Sequence, residues 1–188
     1  MDILSFIDSY KYYAIFILLM LNGLSNLPSS QIVYLAIGYY VSVGKLDFTM
    51  SVILGASGNI LGNFILSFII RKYGIDVARK FTYINDKALA AFNEKVSKSG
   101  LLYLTVAKLI PNLKILVPVV IGITNLSFIK SLFVYAVGST LWAIIVIKIG
   151  MYFGSSISWQ YYTLAITLMA IVVMSLFYLR FIKTKENK

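Results

Sequence analysis

Cysteine and histidine are both absent from the 188 residues, and acidic side chains number 7 against 17 lysines and arginines. The first two absences remove disulfides, thiol nucleophiles, imidazole bases and the commonest zinc ligands together. They argue against a metalloenzyme and a Ser-His-Asp hydrolase, and no nucleophile and base pair is visible in the apolar runs. The chain is expected not to be an enzyme, with no catalytic residue, metal or cofactor. The carboxylates all fall outside the apolar runs, so no acidic group is expected to titrate at membrane depth. Proline occurs three times, as Pro28, Pro111 and Pro118, each where an apolar run breaks or bends.

What the chain has in abundance is apolar surface. Hydrophobic residues make up 60%, and the apolar blocks outrun a soluble core helix, so the class is an all-α polytopic membrane protein. The first residues carry Asp2 and Asp8 with only Lys11, the opposite of a basic signal-peptide start, and no small-residue cleavage site follows, so the N-terminus is expected to be retained. A net charge of +10 invites a nucleic-acid partner, but the positions of the charges argue against one. Seven basic residues (Arg71, Lys72, Arg79, Lys80, Lys87, Lys95, Lys98) lie in a central polar segment, and Arg180, Lys183, Lys185 and Lys188 lie in the tail. Such juxtamembrane charges place both segments in the cytoplasm against anionic headgroups of the cell membrane.

The expected organisation is one membrane domain over residues 1–188. Residues 48–70, 129–153 and 159–182 are each close to the roughly 20 residues that a spanning helix needs. Tyr12 to Leu21 and Gln31 to Val43 are too short to span comfortably and are separated by polar, helix-breaking residues. A re-entrant hairpin over 12–44 fits them, and a second over 101–126 turns at Pro111-Asn112 and bends at Pro118. An amphipathic cytoplasmic segment over 71–99 joins the halves, with Asn85 as an N-cap and Gly100 beyond its end, and residues 183–188 form a basic tail. Charge counting puts the N-terminus and Lys45 to Asp47 outside. Hairpin plus helix then occurs twice in opposite orientation, an inverted repeat of the kind many transporters use.

Two lysines carry the functional reading. An ionised side chain at bilayer depth costs roughly 2.5 to 3.5 kcal/mol on insertion scales, yet Lys108 and Lys114 sit beside Pro111 and Pro118 in an apolar run. They read as an anion site inside the membrane, or as lysines that snorkel from a shallow hairpin. Ser29, Ser30 and Gln31, after Pro28, offer hydrogen bonds to a headgroup or cap the second arm. Asn59 and Asn63, four apart on one helix face, line the same cavity or bond between helices whose approach Gly55, Gly58 and Gly62 permit. Lys148 reads as a snorkelling residue or an outer-leaflet contact, and Trp142 and Trp159 read as packing or interface anchors.

Several segments, in order, resemble the DedA family, also called the SNARE-associated or VTT domain. They are Asn26-Leu27-Pro28-Ser29-Ser30, Gly58-Asn59-Ile60-Leu61-Gly62-Asn63, Arg71-Lys72-Tyr73-Gly74, the run from Ala107 to Lys114, Gly122-Ile123, Phe133 with Gly138 to Trp142, and Gly150 to Gly154. The resemblance covers roughly residues 14 to 155. It implies two inverted re-entrant hairpins and movement of phosphate-bearing lipids, such as polyprenyl phosphate or phospholipid, between leaflets. The family usually has arginine where Lys108 and Lys114 stand, and acidic residues near Leu21, at Ser30 and at Asn63. Lysine supplies the charge without the planar fork of arginine. Without membrane carboxylates, coupling to protons is not expected, and passive or potential-driven movement fits better. The resemblance thus implies a lipid transporter or scramblase with substrate contacts at Lys108, Lys114, Pro111, Asn112, Pro28, Ser29, Ser30, Asn59 and Asn63. A small-ion or solute channel and a non-transporting scaffold are the alternatives, and a homo-oligomer stays open.

Overall fold

The computed structural model describes residues 3–26, 29–79, 86–111, 113–124 and 126–156, and among these every regular element is a helix. In chain order they are α1 (Ile3–Ser25), α2 (Ser30–Ser42), α3 (Phe48–Tyr73), α4 (Ile75–Ala78), α5 (Asp86–Ala107), α6 (Leu116–Ile123) and α7 (Phe128–Ser156). The expectations for residues 159–188, and for Asn85 as a cap, lie outside the described residues.

Local chemistry sets the ends. Asn26 adopts φ +60, which its short polar side chain tolerates, and its amide bonds Asn22 O at 2.8 Å to close α1. Asp47 caps α3 by accepting from the Met50 amide at 2.7 Å, and Gly74 at φ +84 ends it behind Arg71 and Lys72. In α6, Pro118 falls in the first turn, where its missing N–H leaves no helical bond unmade.

Two boundaries differ from the sequence expectation. The first arm is not a short helix from Tyr12: α1 is continuous from Ile3 for 23 residues. Arg71 to Tyr73 belong to α3 and not to the linker. The amphipathic segment ends where expected, because Gly100, at φ 64 and ψ −147, is not helical and redirects the chain within α5 from a polar helix into an apolar one. Phe92, from the amphipathic part, is buried and packs 5.4 Å from the Tyr103 ring beyond that break.

Helix α3 is the spine. It lies along α1 on one side, against α6 and α7 on others, while α2 runs along α7 and α5 meets α7 near the pocket described below. One cluster gathers Leu104, Val117, Ile121 and Tyr135, and another gathers Leu19, Tyr34, Ala143 and Ile147. Polar residues lie between them. The outward faces are apolar too, with Phe68, Leu102, Ile129 and Tyr152 exposed. α3 and α7 are long and apolar enough to cross a membrane.

Candidate functional site

Glycine lets three helices close on one point. A Cβ at Gly23 would lie 2.9 Å from Asn63 N and 3.0 Å from Gly62 Cα, so α1 and α3 touch backbone to backbone there. Gly138 of α7 gives similar room to the stem of Lys108. These approaches bring side chains from α1, α2, α3, α7 and the turn between α5 and α6 into one pocket, lined by Asn22, Ser30, Asn59, Asn63, Lys108, Lys114, Pro118, Ser139 and Trp142 among others.

Asn59 is its hub. Its Oδ1 accepts from Ser139 Oγ at 2.8 Å and Asn63 Nδ2 at 2.9 Å, with Lys108 Nζ at 3.5 Å, while its Nδ2 donates to Asn22 Oδ1 at 3.0 Å. Lys108 is 4% exposed, and its ammonium lies 5.3 Å from the centre of the Tyr135 ring. Lys114 donates to Ser30 Oγ, reaches Gln31 Oε1 at 3.5 Å and lies 5.2 Å from the Trp142 ring. Ser29 Oγ in turn donates to Gln31 Oε1 at 2.6 Å, and Trp142 Nε1 lies 3.3 Å from Ser30 Oγ.

The electrostatics are one-sided. Two lysines face the pocket, and among the described residues no carboxylate lines it and the acceptors are neutral amides, hydroxyls and ring faces. Neutral acceptors solvate a buried ammonium only in part. The enclosed space is about 20 Å³, room for about one water molecule, so a phosphate group enters only if side chains move.

Of the residues expected from sequence, Lys108, Lys114, Ser30, Asn59 and Asn63 line this pocket. Ser29 stands beside it and holds Gln31. Pro111 is exposed in the turn and does not line it, whereas Pro118 does. Pro28 and Asn112 lie outside the described residues. Lys148 is exposed and away from the pocket. Asn22, Ser139 and Trp142 were not anticipated as site residues. A polar residue inside an apolar helix was the available signal for the first two.

The model of the VTT domain family matches residues 27–152, which contain every described pocket residue except Asn22, Gly23 and Asn26. The chain belongs to the VTT domain family, the DedA proteins. The chain is 28% identical over 152 residues to the uncharacterized membrane protein YbfM of Bacillus subtilis, covering 79% of this chain and 93% of YbfM. It is 24% identical over 155 residues to undecaprenyl phosphate transporter A of Staphylococcus aureus, covering 79% and 76% of the two chains. The protein of the same name from Bacillus subtilis is 25% identical over 187 residues, covering 94% and 91%. No solved structure matches significantly.

Proposed function

We propose that this chain is a multi-pass transporter of the cell membrane that moves a phosphate-bearing lipid between leaflets, holding the phosphate between Lys108 and Lys114. The observation that carries the reading is the pair of cations in a pocket whose other described lining groups are neutral. Phosphate is the matching anion, since its oxygens accept charged hydrogen bonds from ammonium and hydroxyl donors at once. Two relatives are named as undecaprenyl phosphate transporters, which makes a polyprenyl phosphate the first substrate to test. The tail stays in lipid, so the pocket needs no room for it.

The proposal includes an inverted repeat. Ser30 and Lys114, 84 positions apart, bond each other, and the same offset relates Gly38 to Gly122. Asn59 and Ser139, 80 positions apart, also bond each other, and that offset relates Ile70 to Gly150. Gly38 packs on Gly150, while its counterpart Gly122 packs on Ile70. A residue that bonds its own counterpart lies on a two-fold axis, so the axis passes through the pocket. With the basic end of α3 and the start of α7 both cytoplasmic, the two long helices run oppositely and the axis lies in the membrane plane. The α1–α2 and α5–α6 pairs are then re-entrant hairpins meeting from opposite sides, and a site on the axis is equally placed for both leaflets.

The test is exchange of a short polyprenyl phosphate and of a fluorescent phospholipid in proteoliposomes. Lys108→Gln and Lys114→Gln each lower exchange by roughly ten- to a hundredfold, as loss of a charged hydrogen bond of about 1.5–3 kcal/mol requires, and together abolish it. An imposed proton gradient leaves the wild-type rate unchanged, because no carboxylate among the described residues lines the pocket to couple it. Wild-type exchange that survives the double substitution overturns the assignment.

A further inference from the structure

A second cavity lies across a thin wall from the polar pocket. It is a groove of about 430 Å³ between α3, α6 and α7, with walls from Leu61, Phe64, Phe68, Ile121 and Phe128, and Arg71 among its lining residues. The wall is built of shared residues. Ser67 lines the groove, and its hydroxyl bonds the Tyr135 hydroxyl and lies 2.9 Å from the carbonyl of Pro118, which lines the pocket. The Tyr135 ring meets Phe64 edge-on at 5.0 Å and also carries the Lys108 ammonium.

The groove has a direction. Leu61, Phe64, Phe68 and Arg71 recur at helical spacing on one face of α3, over about 15 Å of axis. Leu61 stands at the level of Asn59 and Asn63, whereas Arg71 stands in the last turn of α3 beside Lys72. Arg71 is exposed, and one of its five N–H groups is committed, through Nη2 to Leu126 O at 2.7 Å. No other described residue engages the rest, and no Asp or Glu lines the groove.

We propose that this groove is a binding site for an anionic bilayer phospholipid, one acyl chain lying along Leu61 to Phe68 and the phosphate on Arg71. An apolar trough that ends in a planar cationic fork is complementary to a long apolar chain that ends in a phosphate. Its volume falls within the roughly 300–1,000 Å³ of small-ligand cavities. The site is distinct from the lysine pocket and stands whether or not the chain moves lipid.

The experiment uses the full chain in phosphatidylcholine vesicles with a minor fraction of phosphatidylglycerol bearing a photoreactive diazirine in its acyl chain. A parallel sample carries the same chain on phosphatidylcholine, and labelled peptides are mapped by mass spectrometry. The anionic probe labels Leu61, Phe64 and Phe128 several-fold more than the zwitterionic probe does, with no such preference at Ile53, exposed nearer the other end of α3. Arg71→Gln removes the preference and Arg71→Lys restores part of it, which separates the headgroup charge from the bond to Leu126. Leu61→Trp, at an exposed lining position, lowers labelling of the groove by both probes. Equal labelling by the two probes overturns the proposal. So does a groove that neither probe reaches. Lipid exchange by the Lys108 and Lys114 variants does not enter these readings, so either proposal can fail alone.

Discussion

Asn59 shows how much one neutral residue decides. Its carboxamide oxygen draws Ser139, Asn63 and Lys108 to a single point without contributing charge. Asn59→Asp, nearly isosteric, puts a carboxylate where the proposed phosphate would balance the lysines. The expected outcome is a folded protein, monodisperse on size exclusion, whose exchange of polyprenyl phosphate falls at least about tenfold. Asn59→Leu instead removes the acceptor from Ser139 and Lys108 and lowers stability by about 1–3 kcal/mol for each buried group left unpaired, read as a fall in thermal unfolding midpoint in detergent. The lysines were legible in the sequence because a cation in an apolar run needs a reason. Asn22 and Ser139 were not, since their partner in α3 lies 37 and 80 positions away and a lone Asn or Ser in a helix is locally satisfied by caps and turns. Tyr34 makes the converse case. Its buried hydroxyl has no hydrogen-bond partner among the described residues, so Tyr34→Phe is expected to leave the unfolding midpoint unchanged or raise it.

At the scale of elements, backbone approach through glycine sets which helices touch. A Cβ at Gly38 would meet Gly150 Cα at 2.7 Å and Met151 N at 2.8 Å, atoms that no rotamer change can clear. Gly38→Ala therefore separates α2 from α7 and is expected to lower stability by about 1–3 kcal/mol, the usual range for overpacking. Gly44, at φ +71, has open space around it. Gly44→Ala strains only the turn and serves as the comparison in the same thermal series. Spanning lengths and apolar runs made α3 and α7 legible from sequence. The length of α1 was not: Asp8 and Lys11 interrupt the apolar run, yet the helix continues through them because nothing there breaks it. The end of the amphipathic segment was legible, because Gly100 reads as an ending and at positive φ it turns the chain before the apolar arm begins.

For the whole molecule, orientation is the property on which the transport reading depends, because the inverted repeat needs the α2–α3 turn and the end of the amphipathic helix on opposite faces of the membrane. The charges are unequal in a way that favours this: Arg71 and Lys72 end α3, and Lys95 and Lys98 lie on α5 before its kink, whereas the turn before α3 carries Lys45 and Asp47 together. The absence of cysteine makes the test clean, since any introduced thiol is the only one. Lys45→Cys and Lys98→Cys both replace exposed side chains, so neither is expected to disturb packing. In intact cells a membrane-impermeant maleimide labels the Lys45→Cys protein, and it labels the Lys98→Cys protein only after the membrane is opened. Labelling of both from one side removes the opposed orientation of α3 and α7, and with it the two-fold axis that gives the lysine pocket equal access to the two leaflets.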